Sequence, residues 1–293
     1  MKEDRPSFTA AWVAACRGLG RLLPREALLA DDPFGARFGG RAARLLERAG
    51  HRAPSLARAT VELGGPLTRF ILYMQVRTRL FDDVLRAFVR EGGRQLVLLG
   101  AGFDCRAARF RGELDGANAV VFEIDHPATQ ARKRALLAGE PSARVEYLAW
   151  NFERGMDGLP AALAARGFDA ASPALVIWEG VTPYLTEDAI EATVATVARL
   201  SARGSRLAFS YFDRELVTRP RAAERLVGGV VARVGEPFRF GWSPSALPAW
   251  LASRGFSLET DWPADRAAAE LLPPRWARLV REASRHFAVA RRS

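Results

Sequence analysis

A chain of 293 residues with 49% hydrophobic side chains can bury a full core, and no stretch approaches the ~18 consecutive apolar residues of a membrane span. Cys16 and Cys105 lie far apart, and His51, His126 and His286 are scattered, so neither a disulfide framework nor a thiolate or imidazole metal site is expected. The formal charge of +10 is carried almost wholly by arginine, spread along the chain without a zinc-finger or RNA-recognition signature, which argues against a nucleic-acid partner. Met1 to Ser7 mixes charges with no apolar run behind them, so the expectation is a soluble, cytoplasmic protein with no membrane attachment.

The first ninety residues read as helices. One is expected over Thr9 to Leu22. A second runs from Asp32 to Ala49, where Asp caps and Pro33 occupies the first turn. A third spans Pro66 to Arg90, with Phe70, Tyr73, Met74, Leu80, Val84, Leu85 and Phe88 near a helical period. The pattern then changes. Gln95 to Leu99 is a short apolar run ending in Gly-Ala-Gly, as a buried parallel strand feeding a tight turn does. Further strands are expected at Ala119 to Ile124, Arg144 to Leu148, Ala174 to Trp178, Ser205 to Ser210, Ser257 to Asp261 and His286 to Ala290. Helices are expected at His126 to Ala138, Leu159 to Arg166, Glu187 to Ser201, Arg214 to Val234 and Ser243 to Arg254. Strands alternating with helices imply an α/β fold with a mostly parallel sheet, and the last two strands, joined through Pro273-Pro274, form an antiparallel edge. One domain is expected: a helical extension over residues 1–92, then a Rossmann-like core over 93–293 with a helical lid insert near 213–252.

Three strand ends carry the chemistry. Gly100 and Gly102, with Ala101 between them, let the backbone turn tightly and approach a ligand. The third glycine of a dinucleotide fingerprint is absent, because Phe103, Asp104 and Cys105 follow, which disfavours NAD or FAD and suits a ligand without phosphates. Asp125 ends the next strand 23 positions beyond Gly102, where a ribose diol is gripped by a carboxylate. Glu123 points the same way and is the alternative, with Asp125 favoured as nearer the carboxyl end. Glu179 ends the strand Ala174 to Trp178, placed to meet positive charge such as a sulfonium or ammonium.

These features in this order resemble the leucine carboxyl methyltransferase family and its bacterial relatives. The resemblance runs from about Thr9 to the C-terminus and is carried by Val76-Arg77-Thr78-Arg79-Leu80-Phe81-Asp82-Asp83, by Leu99 to Arg106, by Phe122 to Pro127 and by Trp178 to Leu185. It implies a class I methyltransferase sheet and S-adenosylmethionine as cofactor, with S-adenosylhomocysteine as product. By the same resemblance Arg77 pairs with the carboxylate of the cofactor's methionine, Gly100 makes a backbone contact, Asp125 takes the ribose and Glu179 helps hold the methionine end. Asn151-Phe152 brackets the adenine, with Asn where the family usually has Asp, and Cys105 stands where it usually has Thr. Tyr184 faces the acceptor, so Tyr184 and Arg77 are the residues expected to carry the reaction. Candidate acceptor-pocket residues are Arg69, Tyr73, Trp178, Tyr184, Tyr211 and Trp242.

The reaction implied is direct displacement on a methyl group by an oxygen of a small-molecule acceptor. A carboxylate is favoured, because it needs no base and no histidine is marked by a motif to act as one. Competing readings are a nucleic-acid or protein carboxyl methyltransferase, a dinucleotide oxidoreductase, and a non-catalytic cofactor-binding protein of the same fold.

Overall fold

The computed structural model describes residues 6–152, 155–220, 229 and 237–293. Five helices precede the sheet: α1 (Phe8–Leu19), α2 (Gly35–Phe38), α3 (Gly40–Arg52), α4 (Pro54–Glu62) and α5 (Pro66–Arg90). Ser7 caps α1, its Oγ accepting from Ala10 N at 3.0 Å, and a 3-10 turn over Gly20–Leu22 carries the expected helix to its end. The helix expected over Asp32 to Ala49 is two helices. Asp32 does cap, with Oδ1 accepting from Phe34 N and Gly35 N at 3.0 and 3.1 Å. The consecutive poor helix formers Gly39 and Gly40 then break the run between α2 and α3. Helix α4 was not foreseen, and α5 spans the expected range with Pro66 in its first turn.

The alternating part runs β1 (Gln95–Leu99), α6 (Arg106–Arg109), α7 (Arg111–Gly116), β2 (Val120–Asp125), α8 (Pro127–Leu136), β3 (Val145–Ala149), α9 (Leu159–Ala164), β4 (Ala174–Trp178), α10 (Glu187–Leu200), β5 (Arg206–Phe212) and α11 (Arg214–Thr218). It closes with α12 (Leu247–Ala252), β6 (Phe256–Pro263), α13 (Ala264–Leu271), α14 (Pro274–Ala277) and β7 (Arg285–Arg292). The short helices α6, α7 and α13 were not expected. The helix expected over Arg214 to Val234 is present only as α11, which ends at Thr218 ahead of Pro220, and the rest of the expected range, 221–234 apart from residue 229, lies outside the described residues.

Seven strands form one sheet in the order β3-β2-β1-β4-β5-β7-β6. β1 pairs in parallel with β2 and β4, and β2 with β3 and β4 with β5 likewise. β7 runs antiparallel to both neighbours, so the expected antiparallel element sits between β5 and the edge strand β6. The central strands β1 and β4 are buried at every position, as strands covered on both faces must be, whereas β6 carries Glu259, Thr260 and Asp261 on an exposed edge.

Period-2 alternation divides the core into two layers. Leu96, Leu98, Leu175 and Ile177 pack under α5 with Leu72, Met74, Phe81 and Leu85. Val97, Leu99, Val176 and Trp178 face the other way, onto Leu163, Ile190, Val194 and Leu251 from α9, α10 and α12. The strand order reverses between β1 and β4, so a crevice opens outside their carboxyl ends, where ligands of open α/β sheets bind.

Both thiols are buried, and burial pushes Cys16 up to about 12 and Cys105 further in the same direction. A maleimide or disulfide reagent at mildly alkaline pH should therefore leave the folded protein unlabelled and react at both positions on denaturation. Stoichiometric labelling before unfolding would contradict this packing.

Candidate active site

The crevice is a cavity of about 740 Å³ bounded by the carboxyl ends of β1, β2, β4 and β5 and covered by α1 and α5. Its lining includes Arg77, Gly100, Ala101, Gly102, Asp125 and Glu179. Asn151, Phe152 and Tyr184 line it as well, so every cofactor-site and catalytic residue expected from the sequence reaches one cavity.

At its centre is Glu179. Arg77, reaching from α5, donates Nε to Glu179 Oε1 at 2.8 Å, and Arg106 Nη1 lies 2.7 Å from Oε2. Arg106 continues inward to Asp82 Oδ1 at 2.9 Å and to Asp104, and Arg109 also pairs with Asp82. Three guanidiniums and three carboxylates thus form one buried, balanced network. Burial alone would raise the Glu179 carboxyl, but Arg106 and then Arg77 hold it below its ordinary range. Asp104 behaves alike: burial pushes it up, and Arg106, with Lys133 and Arg17, brings it down to about 2.

Glycine is required twice here. Gly180 has φ +71°, and a Cβ there would meet the Arg77 guanidinium at 3.3 Å, so its absence lets the fork lie flat against the chain. Gly100 has φ +65°, and a Cβ would meet Val181 Cγ2 at 2.5 Å, which would push apart the two loops that frame the crevice. Ser210 fixes the second loop, its Oγ accepting from Gly180 N and its carbonyl from Thr182 Oγ1, both at 2.8 Å.

The amides of the first loop are already used. Gly100 N and Ala101 N both donate to Ile124 O, at 2.9 and 3.0 Å, and Gly102 N donates to Asp125 Oδ2. A loop whose N–H groups are consumed internally cannot cradle a pyrophosphate, which needs them pointed at the ligand. What it offers instead is carbonyl oxygen and the Asp125 carboxylate.

Geometry separates the two candidate ribose acids. Glu123 is 1% exposed, bonded to Lys133 Nζ at 2.5 Å, and faces a small separate pocket of about 150 Å³. Asp125, one strand step further on, lines the large cavity. Burial raises its carboxyl above the ordinary value, opposed by the N–H groups of Gly102 and His126 that hydrogen-bond to it. His126 also lines the cavity, but its Nδ1 accepts from Ala128 N at 3.3 Å as the cap of α8.

Of the candidate acceptor-pocket residues, Tyr73, Arg69 and Tyr184 line the cavity, and Trp178, Tyr211 and Trp242 do not. Trp178 ends β4 on the face turned to α10, and Tyr211 on β5 points the same way, with its hydroxyl on Asp261 Oδ2 at 2.6 Å. Trp242 packs against the same face of β5, at ring distances of 5.3 Å to Phe209 and 5.7 Å to Tyr211. Alternation gives the cavity the neighbours Ser210 and Phe212 instead. Sequence reasoning also missed Trp12, Arg17, Phe70, Trp150 and Arg285 in the lining, and Arg106 behind it. Only Arg106 carried a signal, standing at the end of the glycine-loop motif.

A parallel sheet ordered β3-β2-β1-β4-β5, with an antiparallel strand inserted beside β5, is the sheet of the class I methyltransferase fold. A profile of the family described as "Leucine carboxyl methyltransferase" matches residues 10–198, and the chain belongs to that family. A Streptomyces coelicolor protein whose name assigns it to the S-adenosyl-L-methionine-dependent methyltransferases is 39% identical over 215 residues, which cover 71% of this chain and 66% of that one. A Frankia alni protein with a name of the same kind is 34% identical over 89% of this chain and 86% of its own length. The match with the first spans just under two thirds of that relative. Among solved structures, a DUF574 family protein from Streptomyces avermitilis superposes with a TM-score of 0.60 at 18% identity, covering 82% of this chain and 91% of that one. An S-adenosylmethionine dependent methyltransferase from Mesorhizobium loti gives 0.50 at 19% identity, covering 72% and 96%. At these identities the likeness is one of fold. Among the described residues no helix is long and apolar enough to cross a membrane.

Proposed function

We propose that the chain transfers a methyl group from S-adenosylmethionine to an oxygen of a small-molecule acceptor, with a carboxylate as the favoured nucleophile, in the cytoplasm and as a single methyltransferase domain. The observation that carries this reading is one cavity with an arginine–carboxylate cluster at its centre and a lone ribose-type carboxylate, Asp125, on the β2 side. When bound, the cofactor supplies an electrophilic methyl group on a positively charged sulfur.

The chain's own residues then have distinct tasks. Arg77, held edge-on by Glu179 through Nε, keeps the rest of its fork for the methionine carboxylate. Glu179 and the Gly100 carbonyl accept from the ammonium, Asp125 accepts from the ribose diol, and Asn151 and Phe152 border the adenine beside Ala101 and Gly102. Tyr184, in the turn after β4, faces the acceptor. Because an ionised carboxylate needs no base, the protein acts by placement and by excluding water, and holding both reactants in attack geometry contributes roughly 7–11 kcal/mol. The cap role of His126 leaves it poorly placed as a general base, in keeping with such an acceptor.

Calorimetric titration with S-adenosylhomocysteine, with NAD as control, tests the reading. One-site binding of the first and none of the second is expected. NAD binding, or no response to S-adenosylhomocysteine from folded protein, would overturn it.

A further inference from the structure

Beyond Tyr184 the cavity continues over β5 and the start of β7, and its wall becomes aromatic, with Phe70 and Tyr73 from α5, Phe212 from β5, and Phe238. Among these rings sits the guanidinium of Arg285, 4.9 Å from the Tyr73 ring centroid and 5.2 Å from that of Phe212. Its side chain is 15% exposed. Burial would lower its pKa, yet Tyr73 and Glu282 hold it above the usual value, with Tyr184 acting in the same sense, so this is a fixed positive charge beside two phenols.

The other cations of the cavity are committed or peripheral. Arg17 is bonded to Asp32 and to Phe103 O, and Arg77 to Glu179. Arg69 is exposed and donates to Gly64 O, and Arg239 is exposed. Arg285 differs. Its carboxylate partner among the described residues is the partly exposed Glu282, whose Oε2 lies 3.1 Å from Nε, and Tyr73 is hydrogen-bonded to the guanidinium. A carboxylate that is partly exposed to water is screened and neutralises a cavity-wall guanidinium less than a buried partner does, which leaves Arg285 positive charge to offer an anionic ligand.

We propose that Arg285, with Tyr73 and Tyr184 beside it, is the anion-recognition point of the acceptor half, and that the acceptor is a small aromatic carboxylic acid. The proposal rests on the methyltransferase reading above. One carboxylate oxygen is held by the guanidinium, and the ring lies against Phe212 and Phe238. The other oxygen attacks the methyl carbon: an O–C bond forms, the C–S bond breaks with its electron pair going to sulfur, and no proton moves. Carboxylate and sulfonium are both neutralised, a change that an apolar wall favours. The methyl ester keeps at most an ordinary hydrogen bond to Arg285, so the group that selects the acid also lets the product go.

The test titrates protein saturated with S-adenosylhomocysteine with benzoate and 2-naphthoate and with their methyl esters, using wild type, Arg285→Gln and Arg285→Lys. Wild type should bind the acids at least about tenfold more tightly than the esters, as a charge-assisted bond requires. Arg285→Gln should lose that preference while ester and S-adenosylhomocysteine affinities stay within about twofold, the latter reporting an intact fold. Arg285→Lys should recover part of it, having the charge without the fork. Equal binding of acid and ester, no binding of either acid, or acid affinity that survives Arg285→Gln would overturn the proposal and leave the cofactor reading standing. Loss of S-adenosylhomocysteine binding by wild type is a different result and would remove both.

Discussion

Replacing Asp125 by alanine should weaken S-adenosylhomocysteine binding by at least about a hundredfold. Each hydrogen bond to an ionised acceptor contributes about 1.5–3 kcal/mol, a diol supplies two, and a tenfold change corresponds to about 1.4 kcal/mol. Part of the loss is indirect, because the carboxylate also receives Gly102 N and His126 N and so sets the path of the glycine loop. Asp125→Asn keeps one carbonyl acceptor and should fall between wild type and alanine. Since burial raises this carboxyl, affinity should decline on acidification at a higher pH than an ordinary aspartate would dictate. Calorimetry across pH reads both effects, and an alanine variant binding within twofold of wild type would end the ribose assignment. Glu123 could not substitute, being sealed against Lys133.

The second large effect is expected at Arg106. It is 2% exposed and bonded to Asp82, Asp104 and Glu179, so Arg106→Leu removes the cation these three carboxylates share, leaving Asp82 to Arg109, Glu179 to Arg77 and Asp104 with no arginine partner among the described residues. Breaking a buried ion pair by removing one partner costs about 3–5 kcal/mol, and at about 2–4 °C per kcal/mol for a chain of this size the melting temperature should drop by roughly 10 °C. Arg106→Lys should rescue little, since one ammonium cannot span three acids. The pH signature has a definite sign. Asp104 has a folded pKa of about 2 against 3.8 in the unfolded chain, so its contribution is fully present above about pH 4 and is lost as pH falls toward 2. Thermal melts of wild type and Arg106→Leu should therefore converge on acidification, and a gap that stays constant down to pH 2 would show that the network adds nothing through charge.

The elements with unbroken patterns were legible in the sequence. Helix α5 has twenty-five residues with one apolar stripe and a proline start, and β1 and β4 are short runs that only a two-sided core accommodates. The residues whose places are set by backbone and by type together, Gly100, Asp125 and Glu179, were legible too. What failed was what only the third dimension decides. Tyr211 and Phe212 are adjacent aromatics on one strand, and nothing local says which faces the cavity until the register with β7 is fixed. Arg285 lies a hundred positions beyond the last of the motifs and arrives through an antiparallel strand inserted in the sheet. The different surroundings of Glu123 and Asp125 are set by a lysine on α8, ten residues on from the first of them, whose partner the sequence could not name.

That lysine has a wider consequence. Apart from Lys2, Lys133 is the sole lysine in 293 residues, and its ammonium is shut inside against Glu123. The positive charge of this molecule is therefore almost entirely guanidinium, which stays protonated in any aqueous buffer a protein tolerates. Alkaline solution that discharges a lysine-rich surface would leave this one nearly unchanged. Acetylation and other chemistry aimed at primary amines would find scarcely anything to act on, so the cationic character of the protein is closed to amine-directed modification.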